Sequence, residues 1–185
     1  MRVILAEKPS VAQNIAAVLG ADQKKNGYLQ GENDLVSWCI GHLIELAPPE
    51  IYDARYAKWR REDLPIVPSA WESVVSDGTK KQFAVLKDLL NRTDVDEVVC
   101  ATDAGREGEL IFRMVYEKTG CTKPVKRLWI SSLEESAIRE GFRSLKPGTA
   151  YDALYRAALC RAQADWLVGI NGTRLYSRLY GTKLN

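Results

Sequence analysis

The sequence is short of histidine, of paired cysteines and of charge of one sign, and each shortage excludes a class of protein. Its 185 residues include one histidine and four cysteines, and no two cysteines form a Cys-x-x-Cys pair. This argues against a zinc site and a disulfide framework and indicates a reducing, cytoplasmic environment. Lys and Arg number 26 and Asp and Glu 24, so a net charge of +2 gives no global field for nucleic acid or a membrane.

Long apolar runs, targeting signals and internal repeats are missing as well. No run of 18 apolar residues occurs, which excludes a spanning helix. The first ten residues, MRVILAEKPS, contain acid and base and no small-residue cleavage site, so they do not resemble a signal peptide. With 46% apolar and 27% charged residues, the composition is that of a globular chain with no membrane partner.

Strand-like and helix-like segments alternate along the chain. Apolar runs typical of buried strands cover 2–6, 97–101 and 127–130, and a hairpin is predicted over 28–40. Helical spacing covers 11–19, 79–92, 107–118 and 132–145, the last introduced by a capping box at Ser132–Glu135. Four prolines predict that 47–71 is a long surface excursion. The alternation predicts an α/β fold with a mainly parallel sheet and helices on both faces.

The C-terminal part differs from the rest in composition. Pro147-Gly148 end the alternating region, so we predict one domain over 1–147 and an incomplete helical segment over 148–185, which is too short to bury its own core. From Tyr151 onward there are five basic residues and two acids. This excess of basic residues has two equally good interpretations: an anionic partner, or solvated arginines on an exposed helix face.

Acidic residues follow two of the predicted strands. Glu7 directly follows strand 2–6, and Asp103 lies two residues beyond strand 97–101. If these strands are neighbours in a parallel sheet, the two carboxylates converge at one edge. The segment 102–109, TDAGREGE, offers the oxygen ligands that Mg²⁺ prefers. Acids in a first helical turn also stabilise the helix dipole by about 0.3–1 kcal/mol each, but Glu-Lys-Pro-Ser after the first strand favours a functional site.

Six segments, spread in order over nearly the whole chain, resemble the N-terminal Toprim domain of bacterial type IA DNA topoisomerases, specifically those of the topoisomerase III kind. They are AEKPS at 6–10, WCIGHL at 38–43, DLPIVP at 63–68, TDAGREGE at 102–109, RLWISS at 127–132 and ADWLVGIN at 164–171.

The resemblance implies a site that acts on a DNA phosphate. It gives Glu7 an acid–base or metal-linked role beside the scissile phosphate, and it gives Lys8 the role of stabilising charge that develops there. It places Glu7, Asp103 and Glu107 around Mg²⁺. The family motif has Asp-x-Asp where this chain has Gly105 as the second member. We therefore expect a single, more weakly held metal ion.

The resemblance also implies single-stranded or underwound DNA as the partner. Trp59, Trp166 and Arg174 match family DNA contacts, with Arg161 a weaker match, although Trp166 has apolar neighbours that are equally consistent with core packing. His42, in Gly-His-Leu, could contact a phosphate but is more simply a structural residue. None of the eight tyrosines lies in a context like the Tyr-Pro-Arg-Thr of the family nucleophile.

These features predict a monomeric Toprim fragment of a type IA topoisomerase, which acts together with further domains of the same protein. The complete enzyme would cleave and religate single DNA strands through a phosphotyrosine, while the fragment alone would not relax DNA. Two other functions stay open: a stand-alone Toprim nuclease that uses metal-activated water, and a non-catalytic nucleic-acid-binding module.

Overall fold

The computed structural model describes residues 1–181, which contain nine strands and six α-helices. The strands are β1 (Arg2–Ala6), β2 (Gln23–Lys25), β3 (Tyr28–Gln30), β4 (Asp34–Trp38), β5 (Ile44–Leu46), β6 (Ser73–Val75), β7 (Glu97–Ala101), β8 (Val125–Arg127) and β9 (Lys146–Pro147). The helices are α1 (Pro9–Leu19), α2 (Pro49–Tyr52), α3 (Lys80–Leu90), α4 (Arg106–Thr119), α5 (Glu135–Arg143) and α6 (Asp152–Tyr180). Among these described residues, no helix combines the length and the apolar content that a membrane span requires.

Seven of the strands form one sheet in the order β2-β3-β4-β1-β7-β8-β9. The four central strands, β4, β1, β7 and β8, run parallel, and the outer strands β2, β3 and β9 pair antiparallel. In the β1–β7 register Ala6 lies opposite Ala101, so the two strands end side by side. The predicted α/β fold with a parallel sheet centre is therefore confirmed. The strands β1 and β7, which Glu7 and Asp103 follow in the sequence, are neighbours in the sheet.

The sheet has a buried layer on each face. Ile4, Ala6 and Val99 on one face pack with Ile15 of α1 and Ile138 of α5. Side chains alternate along a strand, so residues such as Val3 and Leu5 point to the other face, where they too are fully buried. The helix α3 lies on that second face, because its Gln82 side chain donates to the Ser37 hydroxyl of β4.

Most element boundaries follow the local sequence signals. The helix α1 begins at Pro9, whose missing N–H costs nothing in a first turn, and it ends at Gly20, whose φ of 71° is the left-handed conformation that glycine adopts freely. The helical segment predicted over 148–185 contains a single α-helix, α6, from Asp152 to Tyr180, and its last four residues lie outside the described part of the chain.

Two predicted boundaries after residue 120 are wrong. The strand predicted over 127–130 corresponds to β8, which ends at Arg127. The Thr102 carbonyl, which follows the end of β7, accepts a hydrogen bond from the Arg127 guanidinium instead of from a backbone amide of a continuing strand. The predicted capping box at Ser132 does not form. The Ser132 hydroxyl accepts from the amide of Glu134, only two residues on, and α5 begins at Glu135.

The chain divides into two compact units. The first contains residues 1–44 and 75–158, and therefore the seven-stranded sheet; the second contains 45–74 and 159–185. The second unit brings the proline-rich excursion together with the larger part of α6. The domain boundary at residue 147 stays a prediction, since the compact units divide the chain at other positions.

Candidate functional site

Glu7, Lys8 and Asp103 meet at the carboxyl ends of β1 and β7. The Glu7 side chain is buried, and its Oε2 accepts a hydrogen bond from the Asp103 amide at 3.2 Å. The Lys8 Nζ lies 3.8 Å from Glu7 Oε1 on the exposed side. Asp103 itself is exposed. The two acidic residues therefore meet at one edge of the sheet through the Glu7 carboxylate and the Asp103 amide, beside the Lys8 ammonium.

The first turn of α4 holds Asp103 at this edge. The Thr102 hydroxyl donates to the Gly108 carbonyl at 2.8 Å, which ties the end of β7 to the helix. A Cβ on Gly108 would lie 2.2 Å from the Asp103 carbonyl oxygen and 2.9 Å from its amide nitrogen. Only glycine allows the helix to approach the backbone this closely. The local sequence thus sets where the Asp103 backbone lies.

Arg127 lies beneath the segment 102–105, called here the Asp103 turn. Its side chain has no exposed surface and donates to the carbonyls of Thr102 at 2.8 Å and Asp103 at 2.7 Å. Its Nε donates to Glu109 Oε2 at 3.1 Å. This arrangement satisfies the polar groups of a buried arginine, which would otherwise be costly to place in the core.

The charge of Arg127 is part of a row of alternating ions. Glu109, buried on α4, also accepts from Arg113 at 3.1 Å, and Arg113 donates to Asp152 at 2.7 Å. Burial opposes the charge on Arg113, but hydrogen bonds to Asp152 and Glu109 raise its guanidinium pKa overall. The row Arg127–Glu109–Arg113–Asp152 therefore joins β8, α4 and the start of α6 with no net charge.

Glu107, the third acid predicted to bind the metal, has a different partner. Its side chain is 66% exposed, and it lies 2.5 Å from His42 Nε2. Within residues 1–181, no group of three or more His, Cys, Asp or Glu side chains is arranged to hold a metal ion. The structure thus brings together Glu7 and Asp103, whereas the participation of Glu107 stays a prediction.

The remaining donor set fits one hard divalent ion. Mg²⁺ in phosphate-handling proteins is usually bound by one or two carboxylates, with water and phosphate oxygens completing its six ligands. Glu7 and Asp103 supply two carboxylates on adjacent strands, and the exposure of Asp103 leaves that side open to a phosphate. The chemistry of the pair matches a single ion that keeps several waters.

Three of the four residues predicted to contact DNA line one cavity in the second unit. Trp59, Trp166 and Arg174 border a space of about 270 Å³, together with the acidic side chain of Asp165. The guanidinium of Arg174 lies over the Trp59 ring, 5.3 Å from its centroid, and donates to the Tyr56 carbonyl at 2.7 Å. The Trp59 ring is 43% exposed, so an aromatic surface backed by a fixed positive charge faces solvent.

Trp166 and Arg161 differ from this pair. The Trp166 indole donates to the Ala47 carbonyl at 3.0 Å and packs edge-on against Tyr52 and Trp71, so much of the ring has a packing role. Arg161 is exposed, lies 3.6 Å from Asp165 and does not line the cavity.

Sequence reasoning missed the two residues that support the Asp103 turn. Glu109 was one acid among three in segment 102–109, and Arg127 was the first residue of an apolar run. The signal available was the charge of Arg127 at the start of a run predicted to be a buried strand, since a buried arginine is rare without a partner. Nothing in the spacing pointed to Glu109, 18 residues earlier.

Comparison with known proteins identifies the family of this chain. The family model described as "Toprim domain" matches residues 2–133. The chain is 51% identical over 183 residues to "DNA topoisomerase 3" of Bacillus anthracis, 53% identical over 184 residues to that of Shouchella clausii, and 50% identical over 183 residues to that of Staphylococcus epidermidis. These matches cover 99–100% of this chain. The predicted resemblance is confirmed.

The matched proteins are much longer than this chain. It spans about a quarter of the length of the curated relatives it matches, between 25% and 26%. Among solved structures, full-length topoisomerase I of Thermotoga maritima superposes with a TM-score of 0.60 at 24% identity, over 90% of this chain and 24% of that one. At this identity the match confirms the fold alone.

Proposed function

Because the chain belongs to the Toprim domain family, we propose that it is the metal- and phosphate-binding part of a type IA DNA topoisomerase of the topoisomerase III kind. The complete protein would cleave and rejoin single DNA strands, and so relax or decatenate DNA. The observation that carries the proposal is the meeting of Glu7, Lys8 and Asp103 at the ends of two adjacent parallel strands.

Glu7 and Lys8 are proposed to act on the reacting phosphate. A buried carboxylate that accepts one backbone hydrogen bond can take or give a proton at the leaving or attacking oxygen. The Lys8 ammonium lies on the exposed side of the same carboxylate, where it can stabilise negative charge that develops on phosphate oxygens. Both residues lie between the end of β1 and the start of α1, so a strand and a helix hold the two sides of this segment.

The divalent metal site that Toprim domains carry is proposed to hold Mg²⁺ here, bound by Glu7 and Asp103. Such an ion, when bound, would supply positive charge to the phosphate. Glu107 contacts His42 through Oε1, so it would join the two carboxylates either through its other oxygen or by leaving His42. With Gly105 in place of a second motif aspartate, the site has fewer carboxylates than the family pattern, and we propose one ion rather than two.

Single-stranded or underwound DNA is the proposed partner of the second unit. The exposed face of Trp59 offers a surface on which a base can stack, a contact worth about 1–3 kcal/mol. Arg174 and, on the same helix, Arg161 supply positive charge for the backbone. Trp166 would contribute through its place in the wall of the cavity.

The nucleophile is proposed to come from another domain of the same protein. None of the tyrosines has the sequence context expected of it, and Tyr155, for example, donates to Glu117 while burial raises the pKa of its phenol. We therefore propose that this chain alone does not relax DNA. We also propose that the protein is monomeric and cytoplasmic. A reducing cytoplasm is consistent with its four free cysteines.

The first test asks whether the 185-residue chain binds metal through Glu7 and whether it cuts DNA. We expect saturable Mn²⁺ binding, followed by electron paramagnetic resonance of the free ion, and a loss of affinity of about tenfold or more in Glu7→Gln. The control Glu97→Gln, at the amino end of β7, should leave the affinity unchanged. Negatively supercoiled plasmid incubated with Mg²⁺ and then deproteinised should contain no new nicked circles.

Other outcomes would select the alternatives. Nicking that disappears in Glu7→Gln would identify a nuclease that uses activated water. Single-strand binding with no effect of Glu7→Gln on metal response would identify a non-catalytic binding module.

A further inference from the structure

We propose that Arg127 is a positioning residue that fixes the Asp103 turn in the conformation that binds the metal ion. This inference rests on the proposed function, because it concerns the same metal site. Within the described part of the chain, the hydrogen bonds of Arg127 reach neither Glu7 nor the Asp103 carboxylate; the guanidinium acts through the backbone.

The hydrogen bonds of Arg127 converge on the point where β7 ends. One terminal nitrogen donates to the carbonyls of Cys100 at 3.1 Å and Thr102 at 2.8 Å, and the other donates to the carbonyl of Asp103 at 2.7 Å. The chain leaves the sheet between these residues, so regular strand pairing no longer fixes its path. A planar guanidinium with donors in a rigid fork fixes the relative orientation of successive peptides.

The guanidinium is itself held from several sides. Glu109 accepts from its Nε, and the ring centroids of Trp129 and Tyr151 lie 5.0 and 6.0 Å from its central carbon. The side chains of Arg127 and Glu109 are 0% and 1% exposed. Any rotation of Arg127 away from the turn would leave a buried charge with fewer partners, which is strongly unfavourable. The turn is therefore attached to a fixed group.

This arrangement links the guanidinium to the metal ligand by a short covalent path. The carbonyl that Arg127 holds and the carboxylate proposed to bind Mg²⁺ belong to the same residue, Asp103, whose amide in turn donates to Glu7. The Asp103 backbone is thus fixed at its amide by Glu7 and at its carbonyl by Arg127. Groups of this kind, one step removed from a metal, commonly change its affinity by about 10–100-fold when altered.

The chain contains a matched control for Arg127. Arg113 donates to the same carboxylate, Glu109, and also to the Gly148 carbonyl and Asp152, and none of these bonds reaches the Asp103 turn. Replacing either arginine by lysine keeps the charge and removes the fork. Arg127→Lys should weaken Mn²⁺ binding to the 185-residue chain by about tenfold. Arg113→Lys should change it less than about twofold, although both substitutions should lower the melting temperature.

Equal effects of the two substitutions on Mn²⁺ affinity, or no effect of Arg127→Lys, would overturn the inference and leave Arg127 a structural residue. If Arg127→Lys shows no folded circular dichroism spectrum, Trp129→Leu replaces it, since the partly exposed Trp129 ring supports the guanidinium from outside the core. Trp129→Leu should weaken Mn²⁺ binding about threefold, and unchanged affinity would overturn the inference. If the wild-type chain binds no Mn²⁺, the proposed function fails and this inference fails with it.

Discussion

At Gly108 the backbone of α4 lies directly against the backbone of Asp103. A glycine in a segment such as 102–109 can let the backbone approach a ligand. At Gly108 the close approach is instead to the chain's own Asp103 turn, whereas a Cβ on Gly105 would extend into open space. Gly108 therefore sets the position of the Asp103 backbone, whereas Gly105 has room for a side chain.

Gly108→Ala should destabilise the protein by about 1–3 kcal/mol, because the added methyl group meets backbone atoms that cannot rotate away. Urea denaturation followed by circular dichroism measures the change. Gly169→Ala, in α6 with open space around the new methyl group, should instead stabilise by about 0.5–1 kcal/mol through helix propensity. A Gly108→Ala protein as stable as the wild type would show that α4 can shift away from Asp103.

Single residues also mark what the sequence could not predict. The meeting of Glu7 and Asp103 could be predicted because each follows a buried strand, and strand burial can be predicted from an apolar run. Arg127 was missed because its role depends on carbonyls of other segments, the Thr102 and Asp103 carbonyls among them. Backbone acceptors have no sequence signature, so a side chain that binds them at long range is invisible until the chain is folded.

At the scale of elements, prediction succeeded where local and tertiary preferences agree. The strands β1 and β7 were predicted to the residue, and α4 to within one residue at each end. The strand β8 was misplaced because a long-range hydrogen bond from Arg127 to the Thr102 carbonyl replaced the expected ladder. The start of α5 was misplaced because a local bond from the Glu134 amide to the Ser132 hydroxyl replaced the expected cap. The sequence signals were present, but a competing bond decided each boundary.

Several side chains of α6 form hydrogen bonds to the proline-rich excursion, and Asn171 forms two of them. Asn171 accepts from the Ile66 amide at 2.6 Å and donates to the Ile66 carbonyl at 2.9 Å, so it completes both backbone groups of a buried residue. A third bond joins Asn171 to the Leu167 carbonyl of its own helix. The sequence predicted the excursion and the helix separately but contained no sign of this attachment.

Asn171→Ala should cost about 1–3 kcal/mol of local stability, because the Ile66 amide and carbonyl lose their partners while buried. Hydrogen exchange of the Ile66 amide should become faster by an amount that corresponds to this loss. Ser177→Ala, at an exposed position of the same helix, should leave that exchange rate unchanged. Unchanged exchange in Asn171→Ala would mean that other contacts hold residue 66.

At the scale of the whole molecule, the two compact units interleave along the chain. Each is built from two separate stretches, 1–44 with 75–158 and 45–74 with 159–185. A prediction that places one boundary along the sequence divides the chain into two continuous segments. It cannot recover units that are each built from two separate stretches. Composition could separate the basic C-terminal part, but it could not show that residues 45–74 belong to the same unit.

Three of the four thiols should report global unfolding. Cys39, Cys100 and Cys121 are buried and Cys160 is exposed. Burial raises the pKa of Cys39 and raises that of Cys100 to about 11, so at about pH 8 these thiols are both inaccessible and protonated. Ellman's reagent at that pH should titrate one thiol quickly and three at the rate of unfolding. Cys160→Ser should remove the fast phase, and two or more fast equivalents would contradict the structure.

The two outer strands of the seven-stranded sheet, as described within residues 1–181, make poor templates for another strand. The strand β2 is three residues long, exposed throughout and carries Lys24 and Lys25, and β9 is a two-residue strand that ends in Pro147, which has no amide hydrogen to donate. Short, lysine-bearing or proline-bearing edges prevent the growth of a sheet from one molecule to the next. Concentrated preparations of this chain should accordingly resist amyloid-like fibre formation through this sheet, even though the adjacent strands β1 and β7 each contain four apolar residues in succession.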